Sequence, residues 1–183
     1  KSDFIALVKE LKIGHPANKD TNLGALVSKT HLEKVLSHIK DAPNQQAKIL
    51  CGGNQVVVPG YENGYYLEPT VIEVKTNLCK LNQEEIFGPV VTIMPFENEE
   101  EVVAMANDVR YGLSATIWTT DINRTMRLCN KIEAGIVWVN TWLMRDLRTP
   151  FGGMKDSGMG REGGFEALRF FTEPRNICIQ YLT

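Results

Sequence analysis

Residues 89–139 constrain the fold more than any other stretch of this chain. Pro89 to Phe96 carries the β-rich run Val90-Val91-Thr92-Ile93. Asn98-x-x-Glu101 then marks a helix start, with Val102, Met105, Ala106 and Val109 following at helical spacing. Ala115 to Thr119 reads as a second strand. Asp121 starts a helix with Ile122, Met126, Cys129 and Ile132 on one face, and Ile136 to Val139 reads as a third strand. Strand, helix, strand, helix, strand with short connections predicts an α/β fold, a parallel βαβαβ sheet with right-handed crossovers. Ligands of such sheets gather beyond the carboxyl ends of the strands, so Asn140 to Phe151 is a natural site loop.

The flanks are less regular. Phe4, Val8 and Leu11 share a helical face behind Ser2 as a plausible N-cap, and Gly14-His15-Pro16 stops that helix. Thr30-x-x-Glu33 predicts a capping box, followed by Leu32, Val35, Leu36 and Ile39 on one face. Lys48 to Cys51 reads as a short strand ended by Gly52-Gly53, and Tyr65 to Val74 as extended chain interrupted at Pro69. Gly163 to Phe171 is a short helix. Arg175 to Tyr181 alternates Ile177, Ile179 and Tyr181 with Asn176, Cys178 and Gln180, the pattern of a strand with one apolar face. Pairing with another subunit is one way to cover its edge.

Composition narrows the function classes. With 20 Lys+Arg against 22 Asp+Glu and a formal net charge of -2, the chain has no excess of cations to neutralise phosphates. Its 43% hydrophobic content is that of a packed domain rather than a disordered one. No apolar run approaches the ~20 residues needed to cross a bilayer, and the first residues lack the order of a signal peptide. The missing initiator Met suits a processed or truncated piece. Cys51, Cys79, Cys129 and Cys178 lie far apart with no C-x-x-C pair, which suits reduced thiols in a cytoplasmic protein and no metal site. The sequon Asn123-Arg124-Thr125 falls inside a predicted helix and is discounted.

Several motifs invite a function, each with a plainer alternative. Gly158-x-Gly160-x-x-Gly163 matches a dinucleotide fingerprint, but a polar glycine-rich loop precedes it where a strand should stand, so it reads as a flexible turn packing against a neighbour. In Glu84-Glu85-Ile86-Phe87-Gly88-Pro89 a carboxylate could accept from ribose hydroxyls while the ring packs on a flat cofactor; a solvated pair beside a core Phe is the alternative. In Trp142-Leu143-Met144-Arg145-Asp146-Leu147-Arg148-Thr149-Pro150-Phe151, two Arg forks suit a carboxylate and the aromatics supply apolar walls. Alternatively, Asp146 pairs with Arg145 or Arg148 on the surface. His15, His31 and His38 have no acid or nucleophile partner at a recognisable spacing and read as surface or capping residues.

The stretches EEIFGPV (84–90), YGLSATIW (111–118), AGIVWVN (134–140) and PFGGMKDSGMGRE (150–162) resemble, in order, those of the aldehyde dehydrogenase superfamily. The resemblance implies NAD(P)-dependent oxidation of an aldehyde: a Cys thiolate attacks the aldehyde, hydride passes to nicotinamide, and a Glu-activated water releases the acid. It implies that residues 1–165 are part of the catalytic domain and that 170–183 hold an oligomerisation strand joining a partner subunit's sheet. The family's Gly-Gln-x-Cys nucleophile segment, its general-base Glu and its dinucleotide domain would precede Lys1, so no catalytic residue is assigned within this chain. The cofactor-binding residues implied are Glu85, on the nicotinamide ribose, Phe87, beside the nicotinamide, and Lys34, near the adenine-side ribose. Phe151 matches an aromatic wall of the aldehyde tunnel.

The loop from Trp142 to Pro150 is similar to that of muconic semialdehyde dehydrogenases, whose substrates carry a remote carboxylate. The resemblance assigns a carboxylate-binding Arg here, Arg145 in preference to Arg148, with Trp142 as an apolar wall. On this reading the isolated chain is an inactive C-terminal fragment whose parent uses NAD and self-associates, and faces that further sequence would shield should be exposed. Two alternatives stand beside it: a truncated, non-catalytic assembly module, and a retinal or general aldehyde dehydrogenase with the loop arginines as surface charges.

Overall fold

The computed structural model describes residues 1–181, which divide into two compact units, Lys1–Phe96 and a second from Glu97 onward. The first unit runs α1 (Ser2–Lys9), α2 (Lys29–Asp41), a 3₁₀ turn (Ala42–Gln45), β1 (Lys48–Cys51), β2 (Gln55–Val56), β3 (Tyr66–Leu67), β4 (Thr70–Glu73), α3 (Lys80–Gln83) and β5 (Val90–Ile93). β4 is the middle strand of its sheet, antiparallel to β1 and parallel to β5. Its Val71 and Ile72 are wholly buried, as a strand covered on both faces requires. Leu32, Val35 and Ile39 of α2 pack with Leu67, Ile72, Val74, Leu81 and Ile86 in one core. That is the apolar stripe the sequence places on this helix. Pro69 separates β3 from β4 as expected, because proline cannot donate to a ladder.

The second unit runs α4 (Glu99–Asn107), β6 (Tyr111–Gly112), β7 (Ser114–Ile117), α5 (Ile122–Lys131), β8 (Ile136–Val139), β9 (Met154–Lys155) and α6 (Gly164–Phe171). β7 and β8 form a parallel pair, joined through α5 as predicted, and β6 pairs antiparallel with β9. Asn98 caps α4 by accepting from the Glu101 amide, and Asp121 caps α5 by accepting from Asn123 and Arg124. Burial among the hydrophobic residues of this unit centres on Leu128, Ala134 and Trp138. Ile122 and Met126, on the predicted apolar face of α5, are exposed.

The structure corrects two cap assignments and carries the strand expectations in part. The parallel pairs are β4–β5 and β7–β8, each within its own unit. Ser28, not Thr30, caps α2 by accepting from the His31 amide at 3.2 Å; both hydroxyls fit a cap pattern, and the helix takes the earlier one. Lys1, not Ser2, is the N-cap of α1. Residues 173–181 carry no strand and are exposed, since a one-faced strand needs a ladder partner to be one; the end of that predicted segment, 182–183, lies outside the described residues. No helix among the described residues is long and apolar enough to cross a membrane.

Candidate functional site

The turn between α3 and β5 is built on α2. Ile86 is 8% exposed and belongs to the core, which forces its neighbours Glu85 and Phe87 outward. Gly88 completes the seating: a Cβ there would lie 2.9 Å from a Val35 methyl, so only glycine lets the chain lie this close to the helix. Two side chains one turn apart on α2 then hold the backbone. Lys34 Nζ donates to the Glu85 carbonyl at 3.1 Å, and His31 Nε2 lies 2.6 Å from the Phe87 carbonyl. A carbonyl only accepts, so His31 donates. Its ring also meets the Phe87 ring edge-on, centroids 6.0 Å apart.

Phe87 has φ +59, a left-handed conformation that costs a non-glycine residue about 1–3 kcal/mol and persists only where its surroundings fix it. The result is a ring 73% exposed on a rigid base, beside the exposed Glu85. Among the described residues the Glu85 carboxylate has no hydrogen bond or ion pair. A free acceptor next to an open aromatic face fits the ribose hydroxyls and flat ring of a nicotinamide nucleotide. Lys34, Glu85 and Phe87 are therefore brought together.

The sequence reads His31 as a surface or capping residue, and the structure makes it a donor to the turn. His38, two turns along α2, is buried beneath the same segment with Nε2 3.9 Å from Glu84. Burial holds its pKa below the ordinary 6.5, with Lys80 and Lys34 adding to the effect and Glu84 and Asp41 opposing it. His15 stacks on Tyr61, centroids 4.6 Å apart.

In the second unit the loop after β8 is fixed at both ends. Asn140 exchanges bonds with the Thr119 backbone, accepting from its amide at 2.9 Å and donating to its carbonyl at 2.8 Å. Buried Trp138 donates from its indole N–H to the Met144 carbonyl at 2.8 Å. At the far end Phe151 and Glu162 exchange backbone hydrogen bonds at 2.8 Å. A Cβ on Gly135 would sit 1.6 Å from the Gly152 carbonyl oxygen, so the glycine-bearing motifs at 134–140 and 150–162 meet backbone to backbone.

Arg145 and Phe151 are brought together here: the guanidinium lies 4.1 Å from the ring centroid and is ion-paired with Glu162. The other donors of its fork have no protein partner among the described residues. Arg148 differs. Its Nε and Nη2 both donate to Asp146, at 2.9 and 2.5 Å, and this holds the Asp146 carboxyl below the usual carboxylate range. Trp142 is 68% exposed and makes no polar contact among the described residues. Phe151, Gly160 and Phe170 line a cavity of about 340 Å³. Gly163, at φ +92, caps α6, so the glycine-rich stretch opens that helix after the two-residue β9.

The profile described as "Aldehyde dehydrogenase family" matches residues 1–177. Among known proteins, the 2-aminomuconic semialdehyde dehydrogenase of Mus musculus is 46% identical over 181 residues, covering 97% of this chain and 37% of that protein. The 2-hydroxymuconic semialdehyde dehydrogenase of Pseudomonas sp. (strain CF600) is 45% identical over 183 residues, covering 97% of this chain and 38% of that protein. The crystal structure of betaine aldehyde dehydrogenase from Staphylococcus aureus in complex with NAD+ superposes with a TM-score of 0.87 at 37% identity, covering 93% of this chain and 34% of that one. The chain thus spans well under half the length of these relatives. A match over nearly every residue, together with this level of identity, means that the chain belongs to the aldehyde dehydrogenase family.

Proposed function

We propose that this chain is the C-terminal part of an NAD-dependent aldehyde dehydrogenase that oxidises a semialdehyde bearing a remote carboxylate to the corresponding acid. The observation that carries this reading is the presentation of Glu85 and Phe87 side by side on a turn anchored by His31 and Lys34. The muconic semialdehyde substrates named for the relatives support the carboxylate.

Bound NAD would supply the hydride acceptor. Glu85 would accept from the nicotinamide ribose, Phe87 would pack against the nicotinamide, and Lys34, with donors left on its ammonium, would reach the adenine-side ribose. Arg145 would meet the substrate carboxylate with the donors that Glu162 leaves unused. Asp146 already occupies the fork of Arg148, which supports the choice of Arg145. Trp142 and Phe151 would wall the aldehyde. The nucleophilic Cys and the general-base Glu would come from sequence before Lys1, so the isolated chain is expected to be inactive.

The finer architecture belongs to the same reading. The 90–139 strands would join one parallel sheet in the whole catalytic domain, of which 1–165 form part. The alternation at 175–181, within a segment spanning 170–183, would complete a partner subunit's sheet. A cytoplasmic location is supported by four free cysteines, two of them buried.

The test is NADH formation by the full-length protein and by the 183-residue chain, on a carboxylated semialdehyde and a neutral aldehyde. The full-length protein should be active and favour the carboxylated substrate by about ten- to a hundredfold, the selectivity of one charge-assisted hydrogen bond. A burst of NADH from the 183-residue chain would refute the fragment reading, and equal kcat/KM on both aldehydes would refute the carboxylate.

A further inference from the structure

We propose that His31 is a positioning residue for hydride transfer: its imidazole fixes the backbone of Phe87 and so the ring on which the nicotinamide rests. The inference rests on the reading of 84–88 as the cofactor-facing turn.

His31 is tied twice, and the second tie is short. Its amide is held by the Ser28 hydroxyl at the start of α2, which fixes where its side chain begins. Its Nε2 then reaches the Phe87 carbonyl at 2.6 Å, across 56 residues of sequence. The acceptor is a carbonyl, so Nε2 must carry the proton; the imidazolium and the Nε2–H tautomer both satisfy this, and the Nδ1–H tautomer does not.

The tie acts where the backbone most needs one. Phe87 sits at φ +59, a conformation its own side chain disfavours, and its ring is 73% exposed. The edge of His31 meets that ring. Lys34 holds the preceding carbonyl at Glu85 and buried Ile86 anchors the residue between, so the turn as a whole stays in place without His31. What His31 adds is the setting of Phe87. Loss of that setting should therefore change the chemical step more than the fold, because hydride transfer depends steeply on the distance and angle of the two carbons.

The experiment compares His31→Phe, which keeps a ring and removes the donor, with His31→Gln, which restores an N–H donor. In the full-length protein the readouts are the unfolding midpoint, kcat, and the primary isotope effect with a C1-deuterated aldehyde. His31→Phe should lower kcat by roughly tenfold or more and enlarge the isotope effect while the midpoint stays within a few degrees, and His31→Gln should recover most of kcat.

A readout independent of activity uses NMR of the 183-residue chain. Wild-type His31 should show a protonated Nε2, and Phe87 a positive φ that is lost in His31→Phe. Wild-type kinetics in His31→Phe, or an unchanged Phe87 backbone, would overturn the inference. A wild-type full-length protein without NAD-linked aldehyde oxidation would instead overturn the reading of the turn. Should His31→Phe not fold, His31→Leu takes its place with the same expectations.

Discussion

The turn at 84–88 and the loop at 140–151 hold candidate site residues by opposite means. The turn is seated on a core: Ile86 is buried, Gly88 lies against Val35, and α2 supplies two donors to its carbonyls. The loop projects from a unit with little buried apolar surface and is tied at its ends by Asn140, Trp138 and the Phe151–Glu162 bridge, with exposed ion pairs between. A core-seated turn suits a ligand part that never varies, such as the ribose and ring of a cofactor. A loop shaped by a few polar ties can be revised residue by residue without unfolding the protein, which suits the part that recognises a particular substrate.

The sharpest way to break this comparison is to cut into each region. Ile86→Ala removes buried methyl groups and should cost about 2–5 kcal/mol of stability by denaturant titration, whereas Leu147→Ala, 74% exposed, should stay within about 0.5 kcal/mol. Similar losses at the two positions would erase the distinction.

Arg145→Ala in the full-length protein should raise KM for a carboxylated semialdehyde by about ten- to a hundredfold. KM for a neutral aldehyde should move little, and Arg148→Ala should have a smaller effect on either substrate because Asp146 occupies its fork. Steady-state kinetics on the two substrates decides this, and equal losses on both would refute the carboxylate role.

Trp138→Phe keeps an aromatic ring but loses the donor to Met144 and part of the buried volume. It should cost about 1–3 kcal/mol and loosen the loop, visible as faster amide exchange at 143–148. The smallest effect is a pH dependence beneath the turn. Burial depresses the pKa of His38 in the folded state, so the unfolded chain binds more protons as pH falls through about 6.5. This group's contribution to stability is complete above that value and is lost as pH falls from there toward the folded pKa. The unfolding midpoint should drop between pH 7.5 and 5.5, and His38→Leu should flatten that drop.

Local signals in the sequence were legible. Strand 136–139 and the caps at Asn98 and Asp121 follow from periodicity and capping chemistry over a few residues. What was illegible depends on distance. The bond from His31 to Phe87 joins positions with no shared pattern, and the ion pair of Arg145 with Glu162 could not be chosen over one with Asp146 from spacing alone. Ser28 and Thr30 are equally good caps until the helix register is known. The alternation at 175–181 specifies a face but not a partner, so it predicts a strand that a lone chain does not form.

In the proposed function the Glu85–Phe87 turn faces a nicotinamide nucleotide. Calorimetric titration of the full-length protein with NAD, wild type against Glu85→Gln, tests it directly. The exchange keeps the shape of the side chain and removes its charge. Glu85→Gln should weaken NAD affinity by about ten- to a hundredfold with an unchanged unfolding midpoint; equal affinity in the two proteins would mean that the turn does not face the nucleotide.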